Sequence, residues 1–211
     1  MEFFLDSSSL EEISEFSEFI DGVTTNPTLL SKVDKPYKTI EKITEIISGP
    51  VSLEVISTTK DEIINEIDNI SRIARNIVVK IPITTNGLIA LKYATSKGIK
   101  TNLTLCFSET QAVFAAKFGA TYVSPFIGRL DDLGLDGINL IYNICEIFNN
   151  YNFNTKVLSA SVRSTAHVVA AMKAGSDAIT VPAKILKQML YHPLTNIGLD
   201  TFLKDWNKSK K

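Results

Sequence analysis

The chain has little of what builds metal centres or disulfide frameworks. Among its 211 residues are two cysteines, Cys106 and Cys145, and two histidines, His167 and His192. No CxxC pair occurs, and no Cys/His cluster has ligand spacing. That argues against a metal site and against a stapled fold. Reduced thiols predict the cytoplasm. Neither sign of charge dominates: 22 basic residues face 23 acidic ones, for a net charge of −1. The one local cluster is the tail Lys208, Lys210 and Lys211. No polyanion-binding face follows, so no nucleic-acid partner is expected. No apolar run approaches the roughly 18 residues of a membrane span. The opening MEFFLD carries no basic segment of the secretory kind. A soluble intracellular protein is expected.

What the chain does have is regular alternation. Eight short, β-branched runs read as strands: EFFLD, GVTTN, VSLEVI, IVVKIP, TNLTLCF, YVSPF, KVLSAS and AITVP. Between them lie stretches such as LEEISEFSEFI and KDEIINEIDNISRIARN, with apolar residues recurring at three and four. Strand–helix repeats with short connections imply parallel βαβ units. Eight of them favour a closed (β/α)8 TIM barrel forming one domain over residues 1–211. An open doubly wound sheet is the weaker alternative, because no GxGxxG turn follows the first strand. A further C-terminal helix is predicted at about 195–207, with Leu199, Phe202, Leu203 and Trp206 on one face. It either folds back on its own barrel or docks on a neighbouring subunit.

Side chains alternate across a strand, so each predicted strand has a helix-facing side and a barrel-facing side. Leu53 and Val55 oppose Ser52 and Glu54; Val79 and Ile81 oppose Lys80. Leu103 and Leu105 oppose Asn102 and Thr104; Leu158 and Ala160 oppose Ser159 and Ser161. With the polar sets turned inward, Asp6, Asn26, Glu54, Lys80, Thr104, Ser124 and Ser161 converge from seven strands on one mouth. Active sites of barrels lie there.

Lys80 sits in the apolar run NIVVKIPIT. A lysine is almost never fully buried without a use or a partner. Three roles are open: an ion pair with Glu54 or Asp6, a phosphate ligand, or a nucleophile. The apolar surroundings favour the nucleophile, since a desolvated amine attacks carbonyls to form a Schiff base. Asp6 and Glu54 suit the proton transfers that this chemistry needs. Arg129 and Arg163 follow strand ends. Asp131 or Asp132 could pair with Arg129 on the surface. Arg163 precedes an expected helix start at Ser164–Thr165, where barrels often hold phosphate. Together these residues point to a phosphorylated carbonyl substrate attacked by lysine.

The motifs FLD at 4–6, GVTTNP at 22–27, IVVKIP at 77–82, TNLTLCFS at 101–108, YVSPFIGRLDD at 122–132 and SASVR at 159–163 resemble those of the transaldolases, in the small transaldolase and fructose-6-phosphate aldolase group. The resemblance spans the chain. It implies a class I aldolase-type barrel, with no cofactor or metal, acting on sugar phosphates in the pentose phosphate pathway. Lys80 would be the Schiff-base lysine and Asp6 the acid/base of carbon–carbon cleavage. Glu54 and Thr104 would hold the water of imine formation. Asn26 and Asn102, with Ser124 nearby, would bind the dihydroxyacetone hydroxyls. Arg129, Ser161 and Arg163 would hold phosphate. Glu54 and Phe126 look like the transaldolase form, where the aldolase branch tends to carry glutamine and tyrosine. The resemblance also implies a homo-oligomer, a pentameric ring or decamer, whose C-terminal helix reaches a neighbour. A different lysine aldolase and a non-catalytic sugar-phosphate-binding protein are the rival readings.

Overall fold

Eight parallel strands hydrogen-bond in sequence order and close on themselves, β8 pairing with β1. This is the expected (β/α)8 TIM barrel. A computed structural model describes residues 1–210. The strands are β1 (Glu2–Asp6), β2 (Gly22–Thr24), β3 (Val51–Glu54), β4 (Ile77–Pro82), β5 (Thr101–Cys106), β6 (Tyr122–Pro125), β7 (Lys156–Ser159) and β8 (Ala178–Val181). Most are shorter than the apolar runs that announced them. An isolated bridge between Phe126 and Ala160 continues β6 and β7 past their named ends.

Helices follow each strand: α1 (Leu10–Phe16), α2 (Pro27–Leu30) and α3 (Pro36–Ile46), α4 (Lys60–Ser71), α5 (Thr85–Ser96), α6 (Glu109–Lys117), α7 (Gly128–Asp131) and α8 (Gly137–Tyr151), α9 (Thr165–Ala174) and α10 (Ala183–Leu190). Their starts are chemical. Ser9, Asn26, Thr84, Ser108, Asp136 and Ser164 each accept a first-turn amide through the side chain. That satisfies a donor which the helix itself leaves free. α9 ends on Gly175 at φ 87°, a left-handed cap that glycine adopts without strain.

The main core lies between sheet and helices. Leu5, Val23, Leu53, Val79, Leu103, Val123, Ile179 and Val181 face it, as alternation requires. A smaller apolar layer fills the barrel interior: Phe4, Val78, Tyr122, Leu158 and Ala178. At the barrel's base the Tyr122 hydroxyl donates to Glu2, which also pairs with Lys156.

Two features depart from the simple alternation. On β7 the phase is inverted. Leu158 belongs to the interior layer, whereas Ser159 turns outward to the Ser176 hydroxyl at 2.8 Å. Leu105 was expected to face the helices with Leu103. A register shift between Leu103 and Cys106 intervenes, and Leu105 takes φ 57°. Cys106 occupies the helix-facing core instead.

α11 (Pro193–Ser209) forms as predicted, slightly longer at each end. It does not fold back on its own barrel: it buries none of its residues.

Candidate active site

The carboxyl ends of the strands surround a cavity of about 420 Å3. That is within the range of small-molecule sites. Nine of the eleven residues expected there line it. They are Asp6, Asn26, Glu54, Lys80, Thr104 and Ser124 from the strands and their ends, then Phe126, Arg129 and Ser161 beyond them.

Lys80 is 6% exposed. Its Nζ donates to the Thr25 carbonyl at 3.0 Å and lies 3.0 Å from Glu54 Oε2. The ion pair left open by the sequence therefore exists. It does not exclude the nucleophile, because the pair is built into the cavity wall. Glu54 is placed to accept the ammonium proton. The Thr25 carbonyl would still hold one N–H of the resulting amine.

Asp6 stands at the end of β1, with Thr24 opposite on β2. The Thr24 hydroxyl donates to Asp6 Oδ1 at 3.0 Å. Burial pushes the Asp6 carboxyl pKa above its ordinary range, opposed by the Lys80 charge and by bonds from Thr24 and Asn26. A raised carboxylate is a better proton acceptor near neutrality. Asn26 is fixed twice, since its Oδ1 also caps α2 by accepting from the Leu29 amide.

Thr104 Oγ1 is buried with no hydrogen-bond partner among the described residues. Leaving a buried hydroxyl unpaired costs about 1–3 kcal/mol. Thr104 stands on the cavity wall. Ser124 donates to Asn102 Oδ1 at 2.7 Å, and Asn102 reaches the Ser52 hydroxyl at 3.3 Å. Asn102 is fully buried and does not line the cavity. It orients Ser124 from beneath.

Arg129 stacks its guanidinium 5.0 Å from the Phe126 ring centre. Phe126 in turn meets Phe107 edge-on at 5.5 Å. Arg129 has no ion pair among the described residues; Asp132 pairs instead with Arg163, in two bonds of 2.6 and 2.5 Å. Arg163 stands outside the cavity lining. Its stem runs against Gly128, where any Cβ would collide with Arg163 Nε. His167 links the same corner, with Nε2 3.2 Å from Asp131.

Leu105 and Ser161 both line the cavity with left-handed backbones, at φ 57° and 58°. Non-glycine residues pay for that conformation, and such strain gathers at functional sites. Thr24 and Thr180 also line it. Nothing in the sequence singled out either threonine. Among the described residues, no three His, Cys, Asp or Glu side chains gather as a metal would require.

The profile of the family described as Transaldolase/Fructose-6-phosphate aldolase matches residues 3–211. The chain belongs to this family. A probable transaldolase 1 of Listeria monocytogenes serotype 4b (strain F2365) is 52% identical to it over 100% of both chains. A probable transaldolase of Nitrosopumilus maritimus (strain SCM1) is 52% identical over 100% of this chain and 96% of its own. One of Aquifex aeolicus (strain VF5) is 50% identical over 99% and 97%. Transaldolase-family membership thus covers the barrel, its mouth and the terminal helix together.

Proposed function

We propose that the protein is a transaldolase moving a dihydroxyacetone unit between sugar phosphates through an imine on Lys80. The observation that carries this is Lys80 itself: a nearly buried amine in the cavity wall, 3.0 Å from a carboxylate that can take its proton.

The steps follow from the side chains. Glu54 accepts a proton from Lys80. The amine adds to the ketone of sedoheptulose 7-phosphate or fructose 6-phosphate, and water leaves to give an iminium. Glu54 and Thr104 hold that water. Asp6 removes the hydroxyl proton on the carbon that will become the aldehyde. The carbon–carbon bond breaks, its electron pair enters the iminium, and an enamine remains on Lys80. The aldose phosphate departs. Asn26 and Ser124 hold the three-carbon unit, with Asn102 behind Ser124. Arg129 and Ser161 engage the phosphate, and Arg163 stands at the rim. Phe126 has no proton to release the enamine, which therefore waits for a second aldose phosphate. Hydrolysis of the new imine frees Lys80. The overall exchange converts sedoheptulose 7-phosphate and glyceraldehyde 3-phosphate to erythrose 4-phosphate and fructose 6-phosphate. Such work belongs in the cytoplasm. α11 then docks on a neighbouring subunit of a pentameric ring or decamer.

The test follows release of glyceraldehyde 3-phosphate from fructose 6-phosphate, with and without erythrose 4-phosphate. Sustained release only with the acceptor is expected. Equal release without it would make the protein a fructose-6-phosphate aldolase. Borohydride in the presence of ketose phosphate should fix an adduct on the wild type and none on Lys80→Ala; a mere binder gives none on either.

A further inference from the structure

Thr180 has no place in the steps above, yet it is joined to Asp6. Thr180 on β8 and Thr24 on β2 flank β1, the former in register with Phe4 and the latter with Asp6. Both residues line the cavity, and both are buried. Their oxygens are 2.6 Å apart. Thr24 also donates to Asp6 Oδ1.

A threonine has one hydroxyl proton. With Asp6 ionised, the Thr24 proton is committed to Oδ1. The 2.6 Å contact is then Thr180 donating to Thr24. The chain runs one way, from Thr180 to Thr24 to Asp6, and each bond polarises the next. When Asp6 takes a proton at Oδ1 it becomes the donor. Thr24 accepts it and turns its own proton to Thr180, so the chain runs the other way. In the reversed chain the Thr180 hydrogen turns to the cavity that Thr180 lines, and no heavy atom has to move. The other groups facing Asp6 are the Lys80 charge and the Asn26 amide, with Glu54 behind Lys80. None of these bonds to Thr24 or Thr180.

We propose that Thr180 is a positioning residue for carbon–carbon cleavage: its hydroxyl keeps Thr24 bonded to Asp6 in both protonation states. This rests on Asp6 being the acid/base of the transaldolase reaction.

The test compares Thr180→Val, Thr180→Ser, Thr24→Val and the double valine variant. Thr180→Val should lower kcat for acceptor-dependent transfer about tenfold with KM within about twofold. Thr180→Ser, which keeps the hydroxyl, should restore kcat. Borohydride trapping should stay complete in every variant, because Lys80 and Glu54 make the imine without Thr180. On the Thr24→Val background, Thr180→Val should lower kcat no further, since both act through one chain. Additive losses, or a Thr180→Val enzyme as fast as wild type, would overturn the role. So would a Thr180→Ser enzyme as slow as Thr180→Val. If Thr180→Val does not fold, Thr180→Ala against Thr180→Ser makes the same comparison. A wild type that neither transfers nor is trapped overturns the transaldolase reading itself. A wild type that does both, with Thr180 indifferent, overturns Thr180 alone.

Discussion

Lys80 and Asp6 are held in opposite electrostatic circumstances, and each makes a different prediction. Lys80 shares its burial with a carboxylate. Removing one member of a buried ion pair strands the other, at a cost of about 3–5 kcal/mol. Lys80→Ala should therefore lose stability as well as imine trapping, read by denaturant titration. Asp6 is burdened rather than supported: burial raises its pKa above the ordinary 3.8. In the window between unfolded and folded pKa values, the folded state binds the extra proton. Stability from this group is whole below pH 3.8 and is lost as pH rises through the folded pKa. Asp6→Asn should thus abolish cleavage yet melt higher than wild type by about 3 °C at pH 7. The gap should close on acidification; equal melting temperatures at pH 7 would contradict it. Phe126 sets the fate of the enamine. Phe126→Tyr adds a phenol at the cavity wall, and acceptor-independent release of glyceraldehyde 3-phosphate should rise. Unchanged acceptor dependence would remove Phe126 from that role.

Among the elements, the strands were legible because their chemistry is local. In IVVKIP and TNLTLCF apolar residues alternate with Lys80, Asn102 and Thr104, and Ser164 caps α9 where a helix start was expected. β7 was not legible in the same way. KVLSAS alternates small polar with apolar residues, so either phase satisfies the pattern. Its choice is decided by Ser176, 17 residues further on, which gives outward-facing Ser159 a partner. Ser161 still reaches the cavity, through its left-handed backbone rather than through alternation. Leu105 is the matching case on β5. Its φ of 57° costs about 1–2 kcal/mol in an L-residue. Its side chain lines the cavity and is partly buried. Leu105→Gly relieves the backbone but loses that burial, so the two effects should offset to within about 1 kcal/mol. Leu105→Val, with a second branch at Cβ, should destabilise by more than about 1 kcal/mol. Equal melting temperatures for the two would mean the backbone relaxes out of the left-handed region.

For the whole molecule, the decisive feature is the helix that the barrel does not use. Leu194, Ile197, Leu199, Phe202, Leu203 and Trp206 are each more than half exposed on α11, Phe202 at 74%. Burying such side chains is worth about 1.5–3 kcal/mol apiece. A chain alone in water forfeits on the order of 10 kcal/mol of that, and so much exposed apolar surface on one helix marks an interaction surface. The barrel closes without α11, since β1 pairs with β8 and α10 already contacts α9 and β1. No α11 residue lines the cavity. Removing residues 193–211 should therefore leave a folded barrel that still forms the borohydride adduct. Its assembly should change: sedimentation should show the full chain as a pentamer or decamer and the shortened chain as a smaller species. Paired Phe202→Glu and Trp206→Glu substitutions should do the same with the backbone intact. A shortened chain of unchanged subunit number would show that the barrels meet through other surfaces. Loss of the adduct on shortening would mean that a neighbour's helix completes the mouth.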